Sequence, residues 1–204
     1  MKIRTIILCF LFVTSAIYGN DATFDKQFWI LFGFSLNDVS LKDVQDRLGS
    51  TQVFEVPEGH HEKAVCYKTT DDSTVVVFSS GELGGGKQLL GVSLELASLH
   101  KYPCSKPDID LAPVFPMGLH MEMSEDEFLK TVGVSFEKEN STTLRRFADL
   151  KRPIIKAESD KRYGNKEVSK LIQEHGGMDV SQSIWVKVQN DKVVAIRVWK
   201  EETF

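Results

Sequence analysis

Two short segments carry residue types that could do chemistry, a glycine-rich loop and a histidine pair. Residues 81–87, GELGGGK, match the phosphate-binding pattern G-x-x-x-x-G-K. The next position needs Ser or Thr to hold magnesium, but it is Gln88, and the alternating pattern that follows predicts a strand where the motif needs a helix. His60 and His61 stand between two glutamates, yet neighbouring residues of an extended segment point in opposite directions and rarely share one ion. We therefore expect no cofactor and no metal site.

The remaining cysteines and serines do not predict a nucleophile. Ser79–Ser80–Gly81 lacks the flanking residues of a G-x-S-x-G elbow. Cys66 and Cys104, the two cysteines after the N-terminal segment, predict one disulfide in an oxidising compartment, with two unpaired thiols as the alternative. Pairing removes the free thiolate that a catalytic cysteine needs. We expect no catalytic residue and no enzyme, and a hydrolase with a dispersed site is the catalytic alternative.

The C-terminal hairpin indicates binding instead of catalysis. Its strands, Ser183–Val188 and Val193–Lys200, meet across Asn190–Asp191, which is a strong hairpin signal. Alternation places Ile and Val on one face. The other face carries the candidate partner-binding residues Trp185, Lys187, Arg197 and Trp199. Trp and Arg dominate protein–protein hot spots, and Tyr67 of an earlier strand extends the same surface. The alternative is that these Trp side chains pack against another part of the chain.

The N-terminal segment predicts export. Lys2 and Arg4 precede an apolar stretch at residues 5–16 and several small residues. This pattern predicts a signal peptide at residues 1–19, and an uncleaved membrane anchor is the alternative. We expect a periplasmic or secreted protein. Without Lys2 and Arg4 the net charge of −4 becomes −6. Residues 145–170 are nevertheless basic, so they could contact an anionic membrane surface or an acidic protein, and we expect no nucleic-acid partner.

One short helical element occurs twice. Residues 40–49 (SLKDVQDRLG) and 124–133 (SEDEFLKTVG) each begin with a capping Ser and end with Gly. Period-two strands follow each copy, which predicts an α+β fold of two tandem repeats, each a short helix packed on an antiparallel sheet. The predicted organisation is a first repeat at 20–100, a Pro-rich linker at 101–116, and a second repeat at 117–204 with a basic insertion at 150–182. A helix is predicted at Asn165–His175 within the insertion.

Both copies resemble a known family of repeats. The segments GFSLNDVSLKDVQDRLG (33–49) and GLHMEMSEDEFLKTVG (118–133) are similar to the helical signature of β-lactamase-inhibitory-protein-like and SmpA/OmlA-like repeats. The resemblance implies a bacterial envelope or secreted module in which a helical segment precedes an antiparallel sheet. The chain departs from the envelope members in lacking a lipidated Cys, and the insertion at 150–182 is not part of that pattern.

These observations together predict an exported protein-binding module of inhibitor or immunity type. It would engage another protein, such as a toxin or an enzyme, through its open sheet faces. An envelope-assembly scaffold is the principal alternative. The oligomeric state has no signal in the sequence.

Overall fold

The helices and strands follow the predicted α+β pattern. The computed structural model describes residues 21–56, 62–83, 85–153, 170, 174 and 176–203. Three α-helices are described in full, α1 (Asp21–Lys26), α2 (Leu41–Leu48) and α3 (Glu125–Val132). No helix within these ranges is long and apolar enough to cross a membrane. The helix predicted at Asn165–His175 lies outside the described residues, except for Lys170 and Glu174.

The strands form one large antiparallel sheet and two small hairpins. In chain order they are β1 (Ile30–Leu31), β2 (Phe34–Ser35), β3 (Phe54–Glu55), β4 (Lys63–Lys68), β5 (Thr74–Ser80), β6 (Gly91–Leu96), β7 (Val114–Phe115), β8 (Leu119–His120), β9 (Glu137–Asn140), β10 (Thr143–Arg152), β11 (Met178–Gln189) and β12 (Lys192–Thr203). The large sheet has eight strands in the order β3-β4-β5-β6-β12-β11-β10-β9. β1 pairs with β2 and β7 pairs with β8, each ahead of a capped helix.

A central pairing makes the large sheet continuous. Strand β12 pairs antiparallel with β6, with Arg197 opposite Ser93 and Trp199 opposite Gly91. The N-terminal strands and the C-terminal strands are therefore one surface and not two separate sheets. This pairing covers two edges that would otherwise expose unpaired backbone groups.

The two repeated helices begin as predicted. In α2 the Ser40 side chain accepts a hydrogen bond from the Asp43 N–H, and the Asp43 carboxylate accepts one from the Ser40 N–H, which completes a capping box. In α3 the Ser124 side chain accepts from the Glu127 N–H. These bonds satisfy N–H groups that a helix start leaves without a partner.

One face of the sheet carries the main core. α2 lies against β4 and β5, α3 against β12, and α1 against β10. The side chains that belong to this core alternate along β4, β5, β6 and β11, as Ile184, Val186 and Val188 do on β11. They pack against apolar residues of the helices and hairpins, such as Val44 and Phe128. The fold thus has a layer of helices and hairpins on one face of the sheet, and these elements do not cover the opposite face.

A segment after β6 covers the N-terminal half of that opposite face. Cys66 of β4 is joined to Cys104 by a disulfide, as predicted. The Ser105 N–H donates to the Cys66 carbonyl, so the backbone also holds the segment in place. Tyr102 stacks on Phe54, with ring centroids 4.2 Å apart. Among the described residues, this small second core covers the N-terminal half of the face and no segment covers the C-terminal half.

Candidate interaction surface on the open sheet face

The open face is built from side chains in register across β10, β11, β12 and β6. One row runs Arg145–Trp185–Arg197–Ser93, and the adjacent row runs Phe147–Ser183–Trp199–Gly91. Alternate residues of a strand point to opposite faces, so these two rows alternate along the strands with the buried aliphatic residues of the core. The structure brings Trp185, Arg197 and Trp199 together on one surface, and a register shift beside Val188 sets which of them lie opposite each other.

Cations and aromatic rings alternate on this surface. The Arg145 guanidinium lies 5.3 Å from the ring centre of Trp185 and 5.9 Å from that of Phe147. The Arg197 guanidinium lies 5.1 Å from the ring centre of Trp199. Such contacts contribute about 0.5–1 kcal/mol each at exposed sites. They hold the rings and the guanidinium groups in fixed positions relative to each other.

Trp199 lies against glycine backbone. A Cβ atom at Gly91 would be 2.5 Å from Trp199 Cε3, and one at Gly81 would be 3.0 Å from Trp199 Cζ2. The indole N–H of Trp199 donates to Glu201 at 2.7 Å. The absence of side chains at both glycines lets the indole lie close to the sheet and form a floor for the groove above it.

These residues line an open groove of about 770 Å³. Its most exposed apolar members are Phe147, at 56 % exposure, and Leu83, at 72 %. The sequence analysis placed Arg145 in the basic segment 145–170, but it did not place Arg145, Phe147 or Leu83 on this surface. The signal was available for the first two, because Arg145 and Phe147 alternate with the apolar, buried Leu144 along β10. Leu83 lies in the glycine-rich loop and carries no comparable pattern.

An ion pair separates this groove from a smaller one. Arg197 donates to Glu62 at 2.8 Å, and the Glu62 side chain is only 7 % exposed. The smaller groove, of about 330 Å³, lies on the far side and is lined by Ser93, Glu95 and His100 among others. Glu62 precedes β4 and Arg197 lies in β12, so only the folded chain brings them together.

The carboxylate of Glu95 is held in its charged form. Burial alone would raise its pKa, but hydrogen bonds from His100 and Ser93, and the charges of His100 and Arg197, keep the pKa of Glu95 below its ordinary value. Ser93 donates to Glu95 at 2.6 Å and not to His100. These three side chains therefore do not form the serine–histidine contact of a nucleophile and its base.

Two residues predicted to join the surface behave differently. Lys187 is exposed on the same face of β11, next to Thr143 and Ala195, but it does not line the groove. Tyr67 does not belong to this surface: it is fully buried on the opposite, helix-covered face, and its hydroxyl donates to the Gly49 carbonyl at 2.6 Å. Burial, with the nearby charge of Asp108, raises the pKa of Tyr67 to about 12. Its position follows from the alternation of β4, in which Cys66 takes the outer face.

The glycine-rich loop and the histidine pair are the two remaining motifs of the sequence. After the glycine-rich loop the chain enters β6 and not a helix, so the loop has no helix N-terminus to offer a phosphate. His60 and His61 lie outside the described residues. No family model matches the chain, and no match was found among curated proteins or among solved structures.

Proposed function

We propose that this chain is an exported protein-binding module that engages its partner through the groove on the open sheet face. The observation that carries this proposal is the joint exposure of Phe147 and Leu83 beside two tryptophans, on the part of the sheet that no other described segment covers. Trp, Phe and Arg are enriched at the buried centres of protein interfaces, and Trp and Arg also dominate hot spots. The groove is open along the sheet, which suits a segment of another protein.

The pairing of two polar groups of the groove also supports a macromolecular partner. Arg197 is bound to Glu62, and the Trp199 indole is bound to Glu201. Because these polar groups already have partners, covering them costs less desolvation free energy than covering free charges would. The exposed rings can then contribute the favourable part of the binding free energy. The cation–ring contacts limit the side-chain entropy that would be lost on binding.

We also propose that the fold is a tandem repeat, in line with its resemblance to β-lactamase-inhibitory-protein-like and SmpA/OmlA-like modules. Equivalent backbone bonds in the two halves support this. The Asn37 N–H donates to the Leu89 carbonyl, and the Glu122 N–H donates to the Val193 carbonyl. The hairpin turns also correspond, with positive φ angles at Gly33 and Gly118 of +77° and +76°.

More equivalences follow at the helix starts. The Leu41 N–H donates to the Lys87 carbonyl, and the Glu125 N–H donates to the Asp191 carbonyl. Each half then ends in a strand, β6 or β12, and these two strands pair with each other. A duplicated unit whose last strands pair would give this sheet order. On this proposal the halves differ in what covers their outer face, and the uncovered half carries the binding groove.

Export through a cleaved signal peptide remains part of the proposal. The disulfide supports it, because such bonds persist in oxidising compartments. An inhibitor or immunity-type protein would bind a toxin or an enzyme there, whereas an envelope-assembly scaffold would bind membrane-associated proteins. If the partner is a membrane-associated protein, the basic residues 145–170 would be attracted to the anionic membrane surface next to it.

The experiment compares capture by groove variants and by a matched control. Wild type, Phe147→Ala, Trp185→Ala and Ile30→Ala are tagged and used to recover partners from the exported fraction of the native cells. Ile30 is the control because it is also a large, exposed apolar residue, at 61 %, but it lies in β1 in the helix layer.

A partner of the groove should be retained by Ile30→Ala and lost from both groove variants. Loss of one hot-spot side chain worth about 2 kcal/mol weakens binding about 30-fold, which titration calorimetry with the recovered partner measures. Equal capture by all four proteins, with unchanged thermal unfolding, would rule out this surface.

A further inference from the structure

A histidine lies beside the disulfide at a distance suited to sharing a metal ion. One ligand atom each from Cys66, Cys104 and His100 can be chosen so that all three lie within 4.8 Å of one another. His100 follows a short 3₁₀ turn, Ala97–Leu99, in the segment that covers the outer face of the sheet. The two sulfurs are bonded to each other in this state, so the imidazole has no thiolate beside it.

The imidazole is oriented by a carboxylate and has one nitrogen without a partner. His100 Nδ1 lies 3.1 Å from Glu95 Oε2, and the second Glu95 oxygen accepts from Ser93. His100 Nε2 is buried and has no hydrogen-bond partner, in a side chain that is 7 % exposed. In the neutral imidazole, with its one proton on Nδ1 and donated to Glu95, Nε2 carries the lone pair. A carboxylate behind a histidine in this way is the usual support of a zinc ligand.

We propose that the reduced protein binds a zinc ion through Cys66, Cys104 and His100 Nε2. A thiol or phosphine reductant supplies two electrons and is oxidised, the S–S bond breaks, and each sulfur takes up a proton. Zn²⁺ then displaces both thiol protons and binds two thiolates and one neutral imidazole. The fourth tetrahedral position takes a water molecule. This proposal does not depend on the protein-binding function of the groove.

The geometry requires only a local adjustment. With Zn–S near 2.3 Å and Zn–N near 2.0 Å, ligand atoms of a tetrahedral site lie about 3.5–3.8 Å apart. The two bonded sulfurs must separate to that distance, and the imidazole nitrogen that lies within 4.8 Å of both sulfurs must approach by at most about 1 Å. Cys66 is held in β4, and the Ser105 N–H ties the backbone next to Cys104 to the Cys66 carbonyl, so the sulfurs must separate by rotation of the two cysteine side chains. Phe54 and Tyr102 pack beside the imidazole, with ring centroids 6.1 and 5.7 Å away, and keep its surroundings apolar.

The test measures metal binding in both redox states of the whole exported chain. The protein is reduced with a phosphine, freed of reductant without oxygen, and titrated with Zn²⁺ against a chelator. Co²⁺ serves as a spectroscopic probe, because thiolate ligands give it a charge-transfer absorption. We expect about one metal per chain with that absorption in the reduced protein, and none in the oxidised protein. Far-ultraviolet circular dichroism follows the fold throughout.

Three variants separate this site from other histidines. His100→Ala should weaken zinc binding at least 10-fold, and Glu95→Gln should weaken it about 10–100-fold while leaving the ligand set intact. His120→Ala, in β8, is the control and should bind as wild type does. The proposal is overturned if the reduced protein binds no zinc, if His100→Ala binds it unchanged, or if reduction unfolds the chain and zinc does not restore the fold.

Discussion

Replacing Gly91 by Ala tests how Trp199 is positioned on the open face. The two residues are directly opposite each other on β6 and β12, and the new Cβ would lie 2.5 Å from Trp199 Cε3 and 3.0 Å from Cζ3. Both ring atoms belong to a rigid indole, so the whole ring must move. The φ of Gly91 is not positive, so Ala has no backbone penalty there. The expected cost is therefore steric and falls in the range of overpacking, about 1–3 kcal/mol.

A double-mutant cycle isolates this contact. In a Trp199→Ala background the indole is absent. Gly91→Ala should then change the unfolding free energy by no more than about 0.5 kcal/mol, because the gain of Ala over Gly in a strand is offset by the close contact of its Cβ with the Val198 carbonyl oxygen, 3.3 Å away. The coupling free energy between the two positions should be about 1–3 kcal/mol. The cost of Trp199→Ala itself cancels in the cycle.

Urea unfolding of the four proteins, followed by circular dichroism, supplies the free energies. In a thermal scan the single variant Gly91→Ala should lose about 2–4 °C for each kcal/mol. If the two substitutions are additive within about 0.3 kcal/mol, Trp199 does not lie on Gly91, and the proposed groove floor is wrong.

Three further predictions concern stability. Arg146→Ala leaves the buried carboxylate of Asp25 without its bidentate partner, so unfolding free energy should fall by about 3–5 kcal/mol, and an added Asp25→Ala change should recover part of it. Reducing the Cys66–Cys104 bond, with a sequence separation of 38, should cost up to about 4 kcal/mol, and equal urea midpoints with and without reductant would contradict this. Burial would raise the pKa of Asp71, but hydrogen bonds from its own turn lower it from 3.8 to about 2. Ionised Asp71 should therefore stabilise the fold above about pH 4 and lose that effect toward pH 2, and Asp71→Asn should flatten this part of the acid unfolding curve.

Features that depend on neighbouring residues could be predicted from the sequence. The capped starts of α2 and α3 rest on contacts three residues apart, as between Ser40 and Asp43. The C-terminal hairpin rests on a turn at Asn190 and Asp191, both of which adopt positive φ. Alternation within each strand separates Trp185 and Arg197 from the aliphatic residues of that strand. The turn alone would pair Trp185 with Ile196, and a register shift of one residue beside Val188 is what places Trp185 opposite Arg197.

Features that depend on distant pairing could not be predicted. Tyr67 alternates like a surface residue, but only the strand order and the placement of the helices show that its face of β4 is the buried one. The Arg197–Glu62 pair joins residues 135 positions apart, and no local pattern relates them. The sequence therefore placed Trp185 and Trp199 on one face, but it did not indicate the other residues that line the groove beside them, such as Glu62.

The sequence by itself determined the α+β class, the helix caps, the hairpin and the alternation that separates Trp185, Arg197 and Trp199 from the aliphatic residues of their strands. These properties are set by hydrogen bonds and alternation within a few residues, which act in the same way in any tertiary context. The sequence did not determine the register shift that puts Val193 in the core. The tertiary structure alone decided that β6 and β12 join the halves into one sheet, and that the segment carrying Cys104 covers half of its outer face. Strand pairing depends on which edges meet and on what apolar surface is buried when they do, and both are properties of the whole chain.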